Sequence, residues 1–375
     1  GSINENKIEI NFFIFSSCKL NYLVFLVKRF TCQLQLLLIF NSLYKQILMN
    51  SKKRLNIKDF AKKLGLSVTS VSRALNGHSN ISTKTKDRIV KAAEKYNYFP
   101  NLNAKRLASQ KPDTIAFITT INPNAQDYVL MEFLAGLTQG VKDKSTELIF
   151  KFFTNEKDEF NYYQKLIDAD LADKFVFYRI KRNDKRIDFL KRNNINFVTW
   201  GRSSSKENYA WIDMDNEKSI NILMERLLNF GHKKIALLNV HKSFNYGFQR
   251  KKAYEEFHKK NNLKLNQYYY QESLEQMTIT GTKLTKKLLD LKDPPTAIIC
   301  SLDKFFIGCL QECQKRGMQI PNDISLVGYN DHDNYLSSQN LTFISHPLTE
   351  MGKMAVEILE KIENGIPPKE LSKLI

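Results

Sequence analysis

Apolar residues follow two rhythms along this 375-residue chain. Between Asn56 and Tyr98 they recur every three or four positions, the spacing of amphipathic helices. Ile57, Phe60, Ala61 and Leu64 make one helical face, and Gly65, free to adopt the left-handed conformation, ends it. Ser67 caps a second helix with Val71, Ala74 and Leu75 inward. Val68, Thr69, Ser72 and Arg73 then face outward. A third helix opens at Ser82, with Ile89, Val90, Ala93 and Tyr96 on its inner face. Two short helices joined by a tight turn form a helix-turn-helix pattern. Small polar side chains plus one Arg suit a helix pressed into a DNA major groove. Taken alone, the stretch also fits an ordinary helical hairpin with a solvated outer face.

From Lys111 the rhythm changes. Short β-rich runs are expected as strands at Thr114–Thr119, Glu147–Phe153, Lys174–Tyr178 and Asn196–Thr199, separated by helical patterns at 128–143, 156–168 and 184–193. The alternation repeats, with strands at Lys234–Leu238, Gln267–Tyr270, Thr296–Cys300 and Ile324–Val327. Helices are expected at 216–230, 247–261, 278–291 and 303–316. The expected fold is therefore an all-α helix-turn-helix headpiece followed by two α/β subdomains, each a doubly wound parallel sheet. The first connection between subdomains falls near Tyr209–Asp215. Residues 340–347 carry the chain back, so that a last helix at 348–364 packs on the first subdomain. Paired lobes of this kind close around a ligand at the carboxyl ends of their strands.

Charge sharpens the division. The net charge of +18 is concentrated in residues 49–111, with fifteen Lys/Arg against three Asp/Glu, whereas 112–375 are nearly balanced. A basic cluster in one small domain is the footprint of a polyanion-binding module. A membrane surface is the competing polyanion, but binding one calls for a basic amphipathic helix with large apolar anchors. Residues 1–48 differ in composition: from Ser2 to Leu48 there is no Ala, Asp, Gly, Pro, His, Met or Trp. Lys28 and Arg29 interrupt the apolar run Leu20–Phe40, which weakens a transmembrane reading. Met49 is the expected natural start, with 1–48 a non-native or upstream-translated leader. Of five cysteines, Cys309 and Cys313 fall on one expected helix and read as core thiols rather than half a metal site. Six histidines are scattered and expected mainly on the surface or in loops. Residues 112–375 contain no nucleophile elbow, P-loop, dinucleotide glycine fingerprint or zinc motif, so neither an enzyme nor a cofactor is expected.

Polar residues just past the strand ends are the candidates for ligand binding. Arg179, Arg202 and Asp303 follow expected strands, and Arg250 lies in the first turn of a helix. Arg and Asp can make paired hydrogen bonds to vicinal hydroxyls or to an anion. The two tryptophans, Trp200 and Trp211, fall at matching strand ends, where an indole can stack on a sugar ring. Structural ion pairing and core packing are the competing uses of these residues.

The segment IKDFAKKLGLSVTSVSRALNG, followed by ISTKTKDRIVKAAEKYNYFPN, resembles the DNA-binding headpiece of the lactose-repressor (LacI) family of bacterial transcription regulators. A looser resemblance extends to about Gly365. It implies a DNA-binding domain at 49–100, a hinge helix or linker at 101–111, and a two-lobed effector and dimerisation domain at 112–375. Val68 and Thr69 match the positions that choose the operator, and Arg73 matches a guanine-reading Arg. Ser67, Ser70, Ser72, Asn76, Asn80, Ser82 and Tyr98 complete the implied DNA-contacting set. In the hinge, Leu107 matches a minor-groove wedge, with Asn101 and Ala104 beside it.

Arg250 and Asp303 match the family's effector-binding pair. The segment FVFYRIKRNDKRIDFLKRNNINFVTWGR, with YAWIDMDN after it, resembles the branch that regulates α-glucoside use. Two departures stand out. Leu302 replaces the family's usual Asn before the effector Asp, and the chain stops at Ile375, before the customary last short strand. The resemblance implies a cytoplasmic homodimeric repressor on a near-palindromic DNA operator, released by a small sugar. Alternatives are a regulator activated by a purine or protein co-repressor, and a sugar receptor without DNA function.

Overall fold

The computed structural model describes residues 55–75, 81–98, 112–122, 127–204, 208–329 and 341–375. The expected leader, Asn76, Asn80, and the hinge with Asn101, Ala104 and Leu107 lie outside them. The chain divides into two units, one ending at Ala108 and one beginning at Ser109.

Three helices make the first unit's described part: α1 (Ile57–Leu64), α2 (Val68–Leu75) and α3 (Thr83–Lys95). Asn56 caps α1 by accepting from Asp59 N at 2.9 Å while its amide donates to the Asp59 carboxylate at 2.8 Å. Gly65 ends the helix at φ 65°, and Leu66 N closes back onto Ala61 O at 3.1 Å. Phe60, Ala61, Leu64, Val71, Ala74 and Ile89 form the core.

The phase expected for α3 is corrected here. Ile89, Ala92 and Ala93 face inward, whereas Val90 and Tyr96 are exposed. Tyr96 sits past the helix end, edge-on to Phe60, under the Lys63 ammonium. The buried aromatic is Tyr98, stacked on Phe60 with centroids 4.2 Å apart. Its ring therefore belongs to the core rather than to an outer contact face. Arg88 donates to Leu64 O at 3.0 Å and ties α3 to the end of α1.

The second unit contains two parallel sheets. The first has strand order β11-β5-β4-β3-β1-β2, from β1 (Thr114–Thr120), β2 (Glu147–Phe153), β3 (Lys174–Tyr178), β4 (Asn196–Trp200), β5 (Ala210–Asp213) and β11 (Lys373–Leu374). Helices α4 (Tyr128–Gly140), α5 (Glu156–Asp168), α6 (Lys185–Arg192) and α11 (Leu348–Glu363) cover its faces. The second sheet has order β10-β9-β8-β6-β7, from β6 (Ile235–Val240), β7 (Tyr270–Ser273), β8 (Ala297–Cys300), β9 (Ser325–Tyr329) and β10 (Thr342–Ile344). Around it lie α7 (Asn216–Asn229), α8 (Asn245–Lys260), α9 (Thr278–Leu289) and α10 (Asp303–Lys315).

Each sheet is buried on both faces. Central strands such as β3 and β6 therefore read as nearly continuous apolar runs, with only Lys174 and Asn239 polar, rather than as alternation. The connection expected at 209–215 proves to be β5, and the chain crosses to the second lobe at α7. It returns after β10. A two-residue strand that the sequence did not reveal, β11, adds to the first sheet: Lys373 pairs with Ile212 and Leu374 with Asp213. Cys300, Cys309 and Cys313 are buried free thiols in the second lobe's core. Among the described residues no His/Cys/Asp/Glu group is arranged to hold a metal ion, and no helix is long and apolar enough to cross a membrane.

Candidate DNA-reading helix and ligand cleft

The outer face of α2 is built by its own turn chemistry. Ser67 Oγ accepts from Ser70 N at 3.0 Å and lies 2.9 Å from Ser70 Oγ, which fixes the helix start. Val71 and Ala74 are buried, so helical geometry turns Val68, Thr69 and Arg73 to solvent. Val68 is 39% exposed, although apolar. An exposed Val and Thr beside an Arg give a low-profile surface, able to touch thymine methyls and base edges while the guanidinium reaches a guanine. Ser82 caps α3 in the same manner, accepting from Thr85 N at 3.3 Å. Its exposed first turn offers backbone and hydroxyl donors to a phosphate.

In the second unit, the carboxyl ends of β3, β4, β5, β8 and β9 point into one cleft. Its inner pocket is walled on the first lobe by Asp127, Tyr178, Arg179, Trp200 and Asp213. Tyr246, Arg250, Asp303, Lys304 and Tyr329 wall the second. Backbone bonds strap the lobes together, Arg182 N to Ser243 O at 2.9 Å and Asn245 N to Ile180 O at 3.0 Å.

Arg250 is the most constrained of the expected ligand residues. It is buried, donates from Nε to Asn216 Oδ1 at 2.9 Å and from Nη1 to Ser301 O at 2.6 Å, and lies 3.8 Å over the Tyr329 ring. Two fixed acceptors and an aromatic face leave the guanidinium one orientation. Arg179 directly follows β3 with φ 57°, a left-handed conformation unusual for a residue with a Cβ. Its Nη2 donates to Asp127 Oδ2 at 2.9 Å. Asp127 also caps α4 through Leu130 N at 3.1 Å and lies 3.9 Å from the Lys304 ammonium of the opposite lobe.

Asp303 sits in the first turn of α10, where Lys304 N donates to its Oδ1 at 2.7 Å. The helix has no side-chain cap, because Leu302 occupies that position and adds an apolar surface to the pocket wall.

The remaining candidates separate. Trp200 lines the pocket, but its indole already stacks on Phe133 (4.6 Å) and Tyr178 (5.2 Å), so packing shares the surface offered to a sugar. Trp211 is not part of the pocket wall. It pairs in register with Thr199, one position before the level of Trp200, and packs on the opposite sheet face. Arg202 also lies outside the wall. Its guanidinium sits 5.2 Å over Trp211, and its Nε lies 3.2 Å from Asp213 Oδ2. Arg202 therefore acts on the pocket through Asp213. Burial pushes the Asp213 carboxyl up to about 6, against the opposing pull of Arg202 and Arg250.

Sequence reasoning missed Asp127, Tyr178, Asp213, Tyr246 and Tyr329. Tyr178, Asp213 and Tyr329 end their strands, Asp127 is a helix cap and Tyr246 lies in a first helical turn. The strand-end rule that selected Arg179 and Asp303 would have found Tyr178, Asp213 and Tyr329, but not Asp127 or Tyr246. Among the described histidines, His232, His241 and His346 lie in loops as expected, His346 at the pocket wall, whereas His258 is buried within α8.

Comparison with known proteins now bears on both surfaces. The family described as "Bacterial regulatory proteins, lacI family" matches residues 56–101, and the "Periplasmic binding protein-like domain" matches residues 224–374. The HTH-type transcriptional regulator AglR of Rhizobium meliloti is 31% identical over 297 residues, covering 78% of this chain and 82% of that protein. The chain belongs to the lacI family of bacterial regulatory proteins. This LacI-family chain is 27% identical to the HTH-type transcriptional regulator RafR of Escherichia coli, covering 84% of the chain and 94% of RafR. Its fold is that of the lac repressor dimer bound to operator and the anti-inducer ONPF. That match has a TM-score of 0.72 at 20% identity, over 86% of this chain and 96% of the repressor chain. The LacI-family protein is thus a DNA-binding transcription regulator.

Proposed function

We propose that the protein is a cytoplasmic repressor that binds a near-palindromic operator as a homodimer and is released by a small carbohydrate in the interlobe cleft. One observation carries the DNA half: α2 presents Val68, Thr69 and Arg73 to solvent from a rigid, capped helix in a strongly basic segment. The ligand half is supported by a cleft in which two arginines, three carboxylates and several aromatic rings converge from strand ends of both lobes. Hydroxyl pairs meet guanidinium and carboxylate groups there, and ring faces can meet aliphatic C–H surfaces. A single recognition helix reads few base pairs, which favours a dimer. The edge strand β2 leaves Phe150 exposed, and Tyr128 and Met131 are exposed on α4, the helix covering the same sheet face. The hinge at 101–111, with Leu107 as wedge, belongs to the proposal by resemblance.

The test is Arg73→Ala. A bidentate Arg–guanine contact is worth about 1–3 kcal/mol of discrimination. The variant should lose roughly tenfold or more in specific DNA affinity while its ligand affinity and melting temperature stay unchanged. Sequence-specific binding that survives intact would remove α2 as the reading helix.

A further inference from the structure

The interlobe cleft contains two cavities that meet at Asp127, Arg179, Gln276 and Lys304. The inner one, which holds Arg250 and Asp303, measures about 110 Å³. The outer one, bounded by α5, the residues after β3 and the start of α9, measures about 1020 Å³. An apolar cavity of about 150 Å³ takes a single benzene ring, whereas ligand sites generally run about 300–1,000 Å³. The inner space therefore suits at most one ring with the lobes in this arrangement. The outer space has room for considerably more.

The outer wall's chemistry narrows what could fill it. Lys157 and Lys185 line its exposed rim, but the basic groups set deeper in the wall already face carboxylates: Lys181 lies 2.6 Å from Glu156, and Arg186 lies 2.9 Å from Glu159 and 2.8 Å from Asp184. A ligand phosphate or carboxylate would have to compete with these partners and would face their negative charge. Amide, hydroxyl and ring surfaces complete the wall, among them Thr154, Asn161 and Asn183 with Phe160 and Phe244. That set suits the hydroxyls and C–H faces of an uncharged sugar ring.

At the junction, Asp127 Oδ2 gathers Arg179 Nη2 at 2.9 Å, the Tyr178 hydroxyl at 3.3 Å and Lys304 Nζ at 3.9 Å. Asp127 and Arg179 come from the first lobe and Lys304 from the second. A ligand passing this point touches the bridge between the lobes.

Building on the carbohydrate reading above, we infer that the effector is a neutral sugar of at least two linked rings. One ring occupies the inner compartment against Arg250 and Asp303. The remainder lies in the outer compartment against Asn161 and Asn183, with the glycosidic link beside Asp127. The second ring supplies specificity, because it reaches a wall that no monosaccharide in the inner pocket can touch.

Titration calorimetry on the full chain tests this with glucose, galactose, maltose, cellobiose, melibiose, lactose and a phosphorylated glucose. At least one disaccharide should bind roughly tenfold or more tightly than its component monosaccharides, and phosphorylation should give no gain. Asn161→Ala combined with Asn183→Ala, both exposed positions, should weaken that disaccharide about fivefold. Monosaccharide binding and the melting temperature should not change. A monosaccharide or sugar phosphate that binds as tightly as every disaccharide, or a double variant without effect, would overturn the two-compartment inference and leave the carbohydrate reading standing. No binding by any sugar would overturn both.

Discussion

Arg250 and Asp213 line the proposed ligand cleft and are at the same time held by the fold around them. Removing the Arg250 side chain would expose two buried acceptors, Asn216 Oδ1 and Ser301 O, each left without its charged donor. Arg250→Ala should therefore cost about 1–3 kcal/mol of stability as well as ligand affinity. Arg250→Lys should recover part of the first but not the planar stacking on Tyr329. Chemical denaturation alongside calorimetry separates the two losses.

Asp213 makes a prediction about pH. Its folded-state pKa, about 6, lies above the ordinary 3.8 because the carboxyl is buried. The folded chain thus holds the proton to higher pH than the unfolded chain does. The resulting contribution is fully present below about pH 4 and is lost as pH rises through about 6. Asp213→Asn stays neutral throughout. Between pH 4.5 and 7.5, wild type should lose on the order of 2 kcal/mol of stability relative to the variant. A stability difference that does not vary with pH would mean that the Arg202 pair keeps the carboxylate ionised across the range.

At the level of elements, each lobe is closed by a pair of helices that touch backbone to backbone. A Cβ on Gly136 would stand 2.2 Å from Thr349 O, and one on Gly352 would stand 2.3 Å from Phe133 O. In the second lobe, a Cβ on Gly308 would stand 2.3 Å from Thr278 O. The first pair joins α4, early in the domain, to α11, near its end, so the first lobe lacks a layer until the chain returns. Gly352→Ala forces backbone atoms apart and should cost about 1–3 kcal/mol. At about 2–4 °C of melting temperature per kcal/mol for a domain of this size, thermal denaturation would register the change. An unaltered melting temperature would contradict the close helix approach.

Long, strongly patterned elements were legible in sequence. The expected bounds of β2 and β3 coincide with those observed, and every expected helix of the α/β domain is present. What escaped were short strands at or next to the sheet edges. β5, β10 and β11 have four, three and two residues, too few to display a period. The expected strand at 267–270 begins as a turn of 3-10 helix at Gln267–Tyr269 and becomes β7 only at Tyr270. The site was half legible. Residue type and strand-end position indicated Arg179, Arg250 and Asp303. Trp211 failed because a one-residue offset on a strand moves a side chain to the other face. In the headpiece, Tyr98 rather than Tyr96 fills the core, a choice made by chain path after the helix ends.

At the scale of the whole molecule, the proposed function couples a basic DNA-binding unit to a ligand in the cleft of the two-lobed unit. Such coupling needs a ligand that favours one lobe arrangement over another. The difference in affinity sets the largest possible effect on DNA binding. Groups from both lobes meet at Asp127 and at the strap between residues 180–182 and 243–245, so a ligand in the cleft touches what holds that arrangement. DNA binding dominated by phosphate contacts falls steeply with salt, and any comparison must hold salt fixed. The most direct measurement is fluorescence anisotropy of the full chain on labelled DNA from upstream of its own coding region. It is made at physiological salt against an unrelated duplex, with and without each sugar of the panel. The account predicts tight, sequence-specific binding that one sugar reverses at concentrations matching its affinity for the cleft. Equal affinity for both duplexes, unmoved by every sugar, would contradict it.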